Sequence, residues 1–442
     1  MMTARRNLVL GLGKTGVSVA KYLCAQGESV VVNDSRDLPP GREEIASLGH
    51  DVVACFGGFD ARLLEGIDRI VLSPGVPRTE PIVEAALSAG MPVVGDIELF
   101  ANDVEAPVVG ITGTNGKSTV TTLVAEMVRA SGRRVLAGGN LGRPALDLLV
   151  EETPDFYVLE LSSYQLESTS QLALLAAAVL NVTADHMDRY PSLEAYAAAK
   201  ARIYRNSKFA IFNADDPAVR SMDMGSAIGI GFTLRESGAR FSAKRIAGEL
   251  HLVRDDVPLI AVKELGVPGM HNAANALAAL AMGTAMGLPE APMLEVLKTF
   301  AGLEHRTQLV AEHRGVRYIN DSKGTNVGAT IAAVEGLGAP IVLIAGGDGK
   351  GQDFAPLAPA FRSRVRHAVL IGRDKDRIAA ALAGVCEVEF AADMDHAVRA
   401  AARVAAPGDF VVLSPACASF DMYRDYMERG AAFADAARRI TQ

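Results

Sequence analysis

The sequence predicts an α/β protein of three domains, Rossmann-like at both ends with a P-loop-type domain between them. Three observations carry this expectation. The chain is 442 residues long, enough for about three domains of ~150 residues. Two short apolar runs each lead into a glycine-rich turn and then a helical pattern, first at Gly11–Gly16 and again at Gly110–Ser118. Beyond residue 302 a further series of strands alternates with helical runs, and each strand ends in polar or glycine-rich residues.

Residues 1–97 form the first domain. Asn7–Leu10 reads as a strand, Gly11-Leu12-Gly13-Lys14-Thr15-Gly16 as the turn, Val17–Gln26 as a helix, and Glu28–Asn33 as a second strand ending at Asp34. This is the G-x-G-x-x-G pattern with an acid placed as for a ribose contact. By itself it reports a diphosphate near a helix N-terminus and is compatible with a nicotinamide cofactor. The unit ends near residue 97, however, which leaves no room for a separate hydride-transfer site. Asp34 and Arg36 also admit the reading of a solvated strand end. Further strands at Arg69–Leu72 and Pro92–Val94 flank the loop Ser73-Pro74-Gly75-Val76-Pro77.

Residues 98–302 form the central domain. An apolar strand runs into Gly110-Ile111-Thr112-Gly113-Thr114-Asn115-Gly116-Lys117-Ser118-Thr119, and Val120–Ala130 then places Val120, Leu123, Val124, Met127 and Val128 on one helical face. Such a turn aims backbone N–H groups and a helix dipole at one point, which suits a polyphosphate. Lys117 would reach the β- and γ-phosphates, and Ser118 would ligate the accompanying Mg²⁺. The spacing departs from G-x-x-x-x-G-K-[ST], because Ile111 holds the first glycine position. ATP or GTP is the expected ligand.

The strand Phe156–Leu161 carries Glu160 near its carboxyl end, where open parallel sheets collect ligands; a metal ligand and a simple cap are both consistent with it. Ala176–Val182 reads as a strand delivering Thr183–Tyr190. His186 there is either a satisfied loop histidine or a ligand in a mixed oxygen and nitrogen site. Ser192 caps a helix, Leu193–Tyr204, in which Lys200 has small neighbours and would ordinarily be a solvated charge. Residues 232–268 read as hairpins. His271–Leu277 opens an alanine-rich helix with Asn272 and Asn275 on one face, as caps or as ligand contacts. Gly302 is a hinge candidate, followed by Arg306.

Residues 303–442 form the third domain. Strands are expected at Val316–Ile319, Ile341–Ala345, His367–Ile371 and Asp409–Leu413, with helices such as Gly328–Glu335 and Arg377–Ala383. The loops Asn320–Asn326, Gly346–Lys350 and Ser414–Asp421 would line one rim of the sheet.

Composition narrows the function classes. The chain is 49% hydrophobic and 22% charged, ordinary for globular protein, and its net charge of −8 argues against a nucleic-acid or anionic-membrane surface. Cys24, Cys55, Cys386 and Cys417 form neither a C-x-x-C motif nor a disulfide framework, which fits a reduced cytoplasm. Arg5-Arg6 precedes an apolar run broken by Gly11 and Gly13, without a cleavage pattern. The longest apolar run, Leu172–Leu180, is far short of the ~20 residues that span a membrane. A cytoplasmic protein without membrane insertion is expected.

The phosphate-loop variant G-I-T-G-T-N-G-K-S-T resembles that of the Mur ligases, the ATP-dependent amide ligases of peptidoglycan synthesis, and of their folylpolyglutamate synthase relatives. GLGKTG, Asp34-Ser35-Arg36 and SPGVP are similar to the UDP-binding first domain of the Mur branch, for which a folylpolyglutamate synthase has no use. The likeness extends through Leu159–Leu166 and the third-domain loops, and so covers essentially the whole chain; it is nearest to the branch that adds D-glutamate to UDP-N-acetylmuramoyl-L-alanine. The resemblance implies that Lys14, Thr15, Asp34, Arg36, Ser73 and Gly75 hold the UDP part of this nucleotide sugar, with Asn140, Ser162 and Gln165 facing the same substrate. It implies ATP held by Gly113, Thr114, Asn115, Gly116, Lys117, Ser118 and Thr119, by Asn272 and Asn275, and by Arg306 and Asp321. Two magnesium ions would be held by Ser118, Glu160, His186 and Lys200, the last carbamoylated by CO₂. D-Glutamate would enter through Lys323, Thr325, Lys350, Ser419 and Phe420. Lys117, His186, Lys200 and Lys323 would carry the chemistry, in a chain expected to act as a monomer. An NAD-dependent oxidoreductase would explain Gly11–Gly16 and Asp34, but leaves the phosphate loop without a task.

Overall fold

The computed structural model describes residues 5–48, 52–236, 238–337 and 340–441. Three separate sheets organise it. The first is fully parallel, with strands Arg6–Leu10 (β1), Ser29–Asp34 (β2), Val52–Phe56 (β3), Arg69–Leu72 (β4) and Val93–Val94 (β5) in the order β3-β2-β1-β4-β5. The strand order reverses between β1 and β4. The carboxyl ends of these two strands, and hence Gly11 and Ser73, therefore share the crevice in which such sheets bind ligands.

The central sheet has nine strands: Val108–Thr112 (β6), Val135–Gly139 (β7), Phe156–Glu160 (β8), Leu174–Val179 (β9), Ser207–Asn213 (β10), Ile228–Phe232 (β11), Phe241–Ile246 (β12), Glu249–Arg254 (β13) and Val257–Ala261 (β14). Their order is β14-β13-β12-β11-β10-β9-β6-β8-β7, parallel through β12 and antiparallel from β12 to β14. β6 is buried on both faces and reads as a continuous apolar run for that reason. The helix Lys117–Ala130 packs against the alanine-rich helix Met270–Ala285, and its Val120, Leu123, Val124 and Met127 share one buried cluster with Leu277 and Leu280 of that helix. Residues 241–261, expected as hairpins, extend this sheet as an antiparallel meander.

The third sheet contains Gln308–His313 (β15), Val316–Asn320 (β16), Ile341–Gly346 (β17), Val365–Ile371 (β18), Glu387–Phe390 (β19) and Phe410–Leu413 (β20), in the order β15-β16-β20-β17-β18-β19. β16, β20 and β17 are parallel neighbours, so the loops that follow them stand side by side at one edge. β15 was not expected from sequence. It pairs antiparallel with β16 through Arg314 and Gly315, both left-handed at φ 50° and 75°. Several bounds differ by one to three residues; the helix expected over Val17–Gln26, for example, is Lys14–Ala25, and the one expected over Leu193–Tyr204 ends as an α-helix at Ala201. β9 stops at Val179 rather than Val182, because Asn181 turns its amide into the phosphate loop. The helix expected over Arg377–Ala383 is Lys375–Ala381. Among the described residues no helix is long and apolar enough to cross a membrane.

Candidate active site

The phosphate loop begins where β6 ends. Ile111 is a core residue of that strand, 0% exposed, so the turn starts only at Gly113; this is the physical reason for the missing first glycine. Gly116 is left-handed at φ 82°, and a Cβ there would lie 2.4 Å from Asn275 Oδ1, so a side chain is excluded twice over. The loop is pinned to the segment after β9. Thr114 N donates to Asn181 O at 2.9 Å, Asn115 N to Asn181 Oδ1 at 2.8 Å, and Thr183 N to Thr114 Oγ1 at 3.0 Å. The helix then starts at Lys117 with no side-chain cap, which leaves first-turn N–H groups for an anion.

Two lysines converge on this loop. Lys117 Nζ donates to the carbonyls of Gly113 and Thr114, each at 2.9 Å, and Lys200 Nζ donates to the same Gly113 carbonyl at 2.9 Å. Ser192 caps the helix Leu193–Ala201 by accepting from Ala195 N, and so sets the direction of Lys200. Lys200 is 1% exposed, with Nζ 4.3 Å from the Tyr196 ring centroid. Burial, followed by the Lys117 charge, pushes its pKa well below the ordinary lysine value. Lys117 is lowered by burial too.

Glu160 closes the far side of the loop. Its Oε1 accepts from Asn140 Nδ2 at 2.6 Å, while Oε2 is buried without a partner. Burial raises its pKa, but Lys117, Ser118 and Asn140 outweigh that and hold it low, so it is a carboxylate. His186, at φ 58°, lies among Tyr164 and Tyr196 with ring centroids 5.1 and 6.2 Å away. Burial drives it down to about 4, leaving a neutral imidazole at pH 7. The unpartnered Glu160 oxygen and the Ser118 hydroxyl are oxygen donors of the kind a hard divalent cation takes, and a neutral imidazole such as His186 is accepted in mixed sites; among the described residues no three His, Cys, Asp or Glu side chains are grouped as a metal site by themselves.

The third sheet reaches the same loop. Arg306 Nη2 donates to Ser118 Oγ at 2.7 Å, and Asn326 Nδ2 donates to Asn115 Oδ1 at 3.1 Å. Asp321 accepts from Thr307 N and Ser414 Oγ, and burial raises it to about 6. Lys323 lies with Nζ 3.8 Å from the Tyr426 ring centroid and is lowered by burial to about 8. Lys350 Nζ donates to Asp185 Oδ1 at 2.6 Å. Thr325 follows in the same loop, its N–H donating to Lys323 O. Ser419 is buried and Phe420 is 74% exposed at the rim. Asn272 and Asn275 line the cavity beside Gly116, Thr119, Arg306 and Asp321.

The first sheet supplies a second cleft. It is lined by Lys14, Thr15, Asp34, Arg36, Ser73 and Gly75, and also by Asn140 and Gln165 of the central body. Asp34 is 2% exposed; Oδ2 accepts from Leu12 N at 2.6 Å, and Arg36 grips both carboxylate oxygens. The acid thus buttresses the glycine loop, and it is the half-exposed Arg36 that faces outward. Ser162 and Gln165 form a capping box at the start of the helix Ser163–Glu167, and Gln165 Nε2 donates to Asp96 Oδ2 at 2.9 Å. The Ser162 hydroxyl therefore serves the helix start, while Gln165 also borders the cleft.

Sequence reasoning passed over Asn181, Asp185, Tyr196 and Asn326. Asn181 was hidden by the apolar run before it. Asp185 had a signal in its place beside His186 at a strand end.

Three family models match the chain: the Mur ligase MurD-like N-terminal domain over residues 5–95, the Mur ligase middle domain over 111–283, and the Mur ligase glutamate ligase domain over 305–417. A UDP-N-acetylmuramoylalanine--D-glutamate ligase of Nitrosococcus oceani is 52% identical over 440 residues, covering 99% of this chain and 97% of the relative. One of Marinobacter nauticus is 49% identical over 446 residues, covering 98% of each. Among solved structures, the UDP-N-acetylmuramate-alanine ligase of Thermotoga maritima shares the fold with a TM-score of 0.62 at 19% identity, over 99% of this chain and 100% of its own.

Proposed function

The chain belongs to the Mur ligase family, and from that premise we infer that it joins D-glutamate to UDP-N-acetylmuramoyl-L-alanine at the expense of ATP, a step of peptidoglycan precursor synthesis. A carboxylate does not acylate an amine in water, because its leaving group is too poor. Transfer of the γ-phosphoryl group to the carboxylate makes an acyl phosphate; the amine then attacks the acyl carbon, and inorganic phosphate leaves with the C–O bond electrons. Most of the protein's work is to hold mutually repelling anions in line and neutralise them.

The observation that carries this reading is the junction of the two clefts. Asn140 lines the first-domain cleft and donates to Glu160, which faces the phosphate loop. A nucleotide sugar with its UDP against Lys14, Thr15 and Arg36 would direct its acyl end past Asn140 toward the γ-phosphate. Lys117 and Arg306 would leave their present oxygen partners for phosphate oxygens. Lys323, Thr325, Lys350 and Ser419 would receive the two carboxylates of glutamate, with Phe420 over its methylenes. Division of labour then follows residues 1–97, 98–302 and 303–442, with closure about Gly302, which is left-handed at φ 84°.

Magnesium held by Ser118 and Glu160, with a second ion at His186 and a carbamate on Lys200, would screen the phosphate charge. Lys200 suits carbamoylation because its amine is driven toward the neutral, nucleophilic form by burial. One chain supplies every group named, which supports a monomer, and the nucleotide-linked substrate supports a cytoplasmic setting.

Phosphate release with ATP and UDP-N-acetylmuramoyl-L-alanine is the test. D-Glutamate is expected to support turnover, whereas equal rates with L-glutamate or D-alanine would overturn the assignment.

A further inference from the structure

Asp185 has no part in the reaction as set out above, yet it joins two loops of the third sheet to the central body. Its Oδ1 accepts from Lys350 Nζ at 2.6 Å, and its Oδ2 accepts from Asn326 Nδ2 at 3.1 Å. The ion pair is largely buried, with side-chain exposures of 8% for Asp185 and 17% for Lys350. Asn326 caps the helix Val327–Gly336 by accepting from Ala329 N at 2.8 Å, and it also reaches Asn115 of the phosphate loop. Lys350 is held at φ 50°, an uncommon backbone for a lysine. Its N–H donates to Asp348 Oδ1, and Asp348 pairs by two backbone hydrogen bonds with Ala418, the residue before Ser419. One central carboxylate therefore fixes the 321–326 loop and the Lys350 loop directly, and the Ser419 loop in series through Asp348.

A buried ion pair is a costly way to gain stability alone, since both charges lose water. What it supplies here is direction. An ammonium has three N–H donors; with one on Asp185, the others are free for an anion and the flexible stem is immobilised. We propose that Asp185 is a positioning residue of the amino-acid site, aiming Lys350 at the substrate carboxylate and setting that site against the phosphate loop. This rests on the ligase reading given above.

The test is Asp185→Asn in the full chain, which keeps the size and the Asn326 acceptor but removes the charge. KM for D-glutamate is expected to rise about thirtyfold, while KM for ATP and for the nucleotide sugar stays within about threefold. Asp185→Glu should recover part of the loss. Lys350→Met should cost much less in the Asp185→Asn background than alone, because the two act as one unit. Equal rises in all three KM values, or strictly additive effects of the two substitutions, would overturn the proposal and leave Asp185 a structural tie. Should the unaltered enzyme use a different amino acid, the D-glutamate assignment fails, while the same comparison run with that amino acid still decides the role of Asp185.

Discussion

The central body has two seams, and they are built from different kinds of contact. Toward the first sheet, Ser18 Oγ donates to Asp147 Oδ1 at 2.5 Å, Tyr22 Oη to Asp103 Oδ2 at 2.5 Å, and Arg189 Nη1 to Pro74 O at 3.3 Å. The connecting helix Asp96–Asp103 is fastened as well, since Glu98 accepts from Ser170 N, Ser170 Oγ and Gln171 N. None of these groups belongs to the phosphate loop. Toward the third sheet the contacts include Arg306 on Ser118, Asn326 on Asn115 and Lys350 on Asp185. Each involves a residue proposed to hold ATP or the amino acid. If the proposed ligand contacts hold, the first seam can persist through a catalytic cycle while the second exchanges protein partners for ligands, which would tie binding to movement of the third domain.

The largest effect should come from cutting the second seam at Arg306, beside the loop proposed to hold the phosphates. Arg306→Ala removes a cation whose counterparts in phosphoryl transfer contribute ~10³-fold or more to rate. Activity is expected to fall by that order with the melting temperature nearly unchanged. Tyr22→Phe on the first seam deletes one hydrogen bond, worth about 1 kcal/mol, and should leave kcat within about twofold. Comparable loss of activity in both variants, measured by phosphate release at saturating substrates, would erase the distinction between the seams.

What the sequence disclosed follows the same division. The phosphate loop was legible because its chemistry is local: Gly113 and Gly116 supply φ values of 152° and 82° within a few residues of Lys117. Ser192 announced the helix that carries Lys200 for the same reason. The second seam was illegible as a set of contacts, since its partners lie 188, 211 and 165 residues apart in the chain. Resemblance named Arg306, Asp321 and Lys350 but gave no sign of what they touch, and Asp185 and Asn326 emerged only when two sheets were brought together. β15 was missed because its alternation is short and it lies at an edge, where pairing with β16 decides its structure.

Lys200 lies on neither seam and so tests the chemistry apart from closure. An ammonium beside a divalent cation is repulsive, and a carbamate inverts its charge. Lys200→Ala should lower kcat by ~10²–10³-fold, in the range seen when a positioned electrostatic group is removed. Short-chain carboxylic acids should restore part of the activity by refilling the oxygen site. Small amines restoring it instead would mean that the cation itself does the work.

The last effect is read on stability rather than rate, and it sharpens the comparison because each side of the molecule hides a raised carboxyl. Asp96, facing Gln165 at the first seam, and Asp321, facing Thr307, Ser414 and Arg306 near the second, are both raised from 3.8 to about 6, chiefly by burial. A raised carboxyl binds its proton more tightly in the folded chain. Its contribution is therefore full below 3.8 and is lost as the pH climbs through about 6. At 1.36 kcal/mol per pKa unit the loss is up to ~3 kcal/mol for each group. Asparagine at either position removes the proton-linked loss, so above pH 7 each variant should melt higher than the unaltered protein, and near pH 4 the differences should vanish. Activity then separates them. Asp96→Asn keeps an oxygen for Gln165 and should turn over normally, whereas Asp321→Asn alters a group proposed to face the nucleotide and should lose about tenfold. Melting curves of both variants that track the unaltered protein from pH 4 to 8 would show that neither carboxyl is raised. Equal loss of turnover in both would show that the first seam is no more a passive joint than the second.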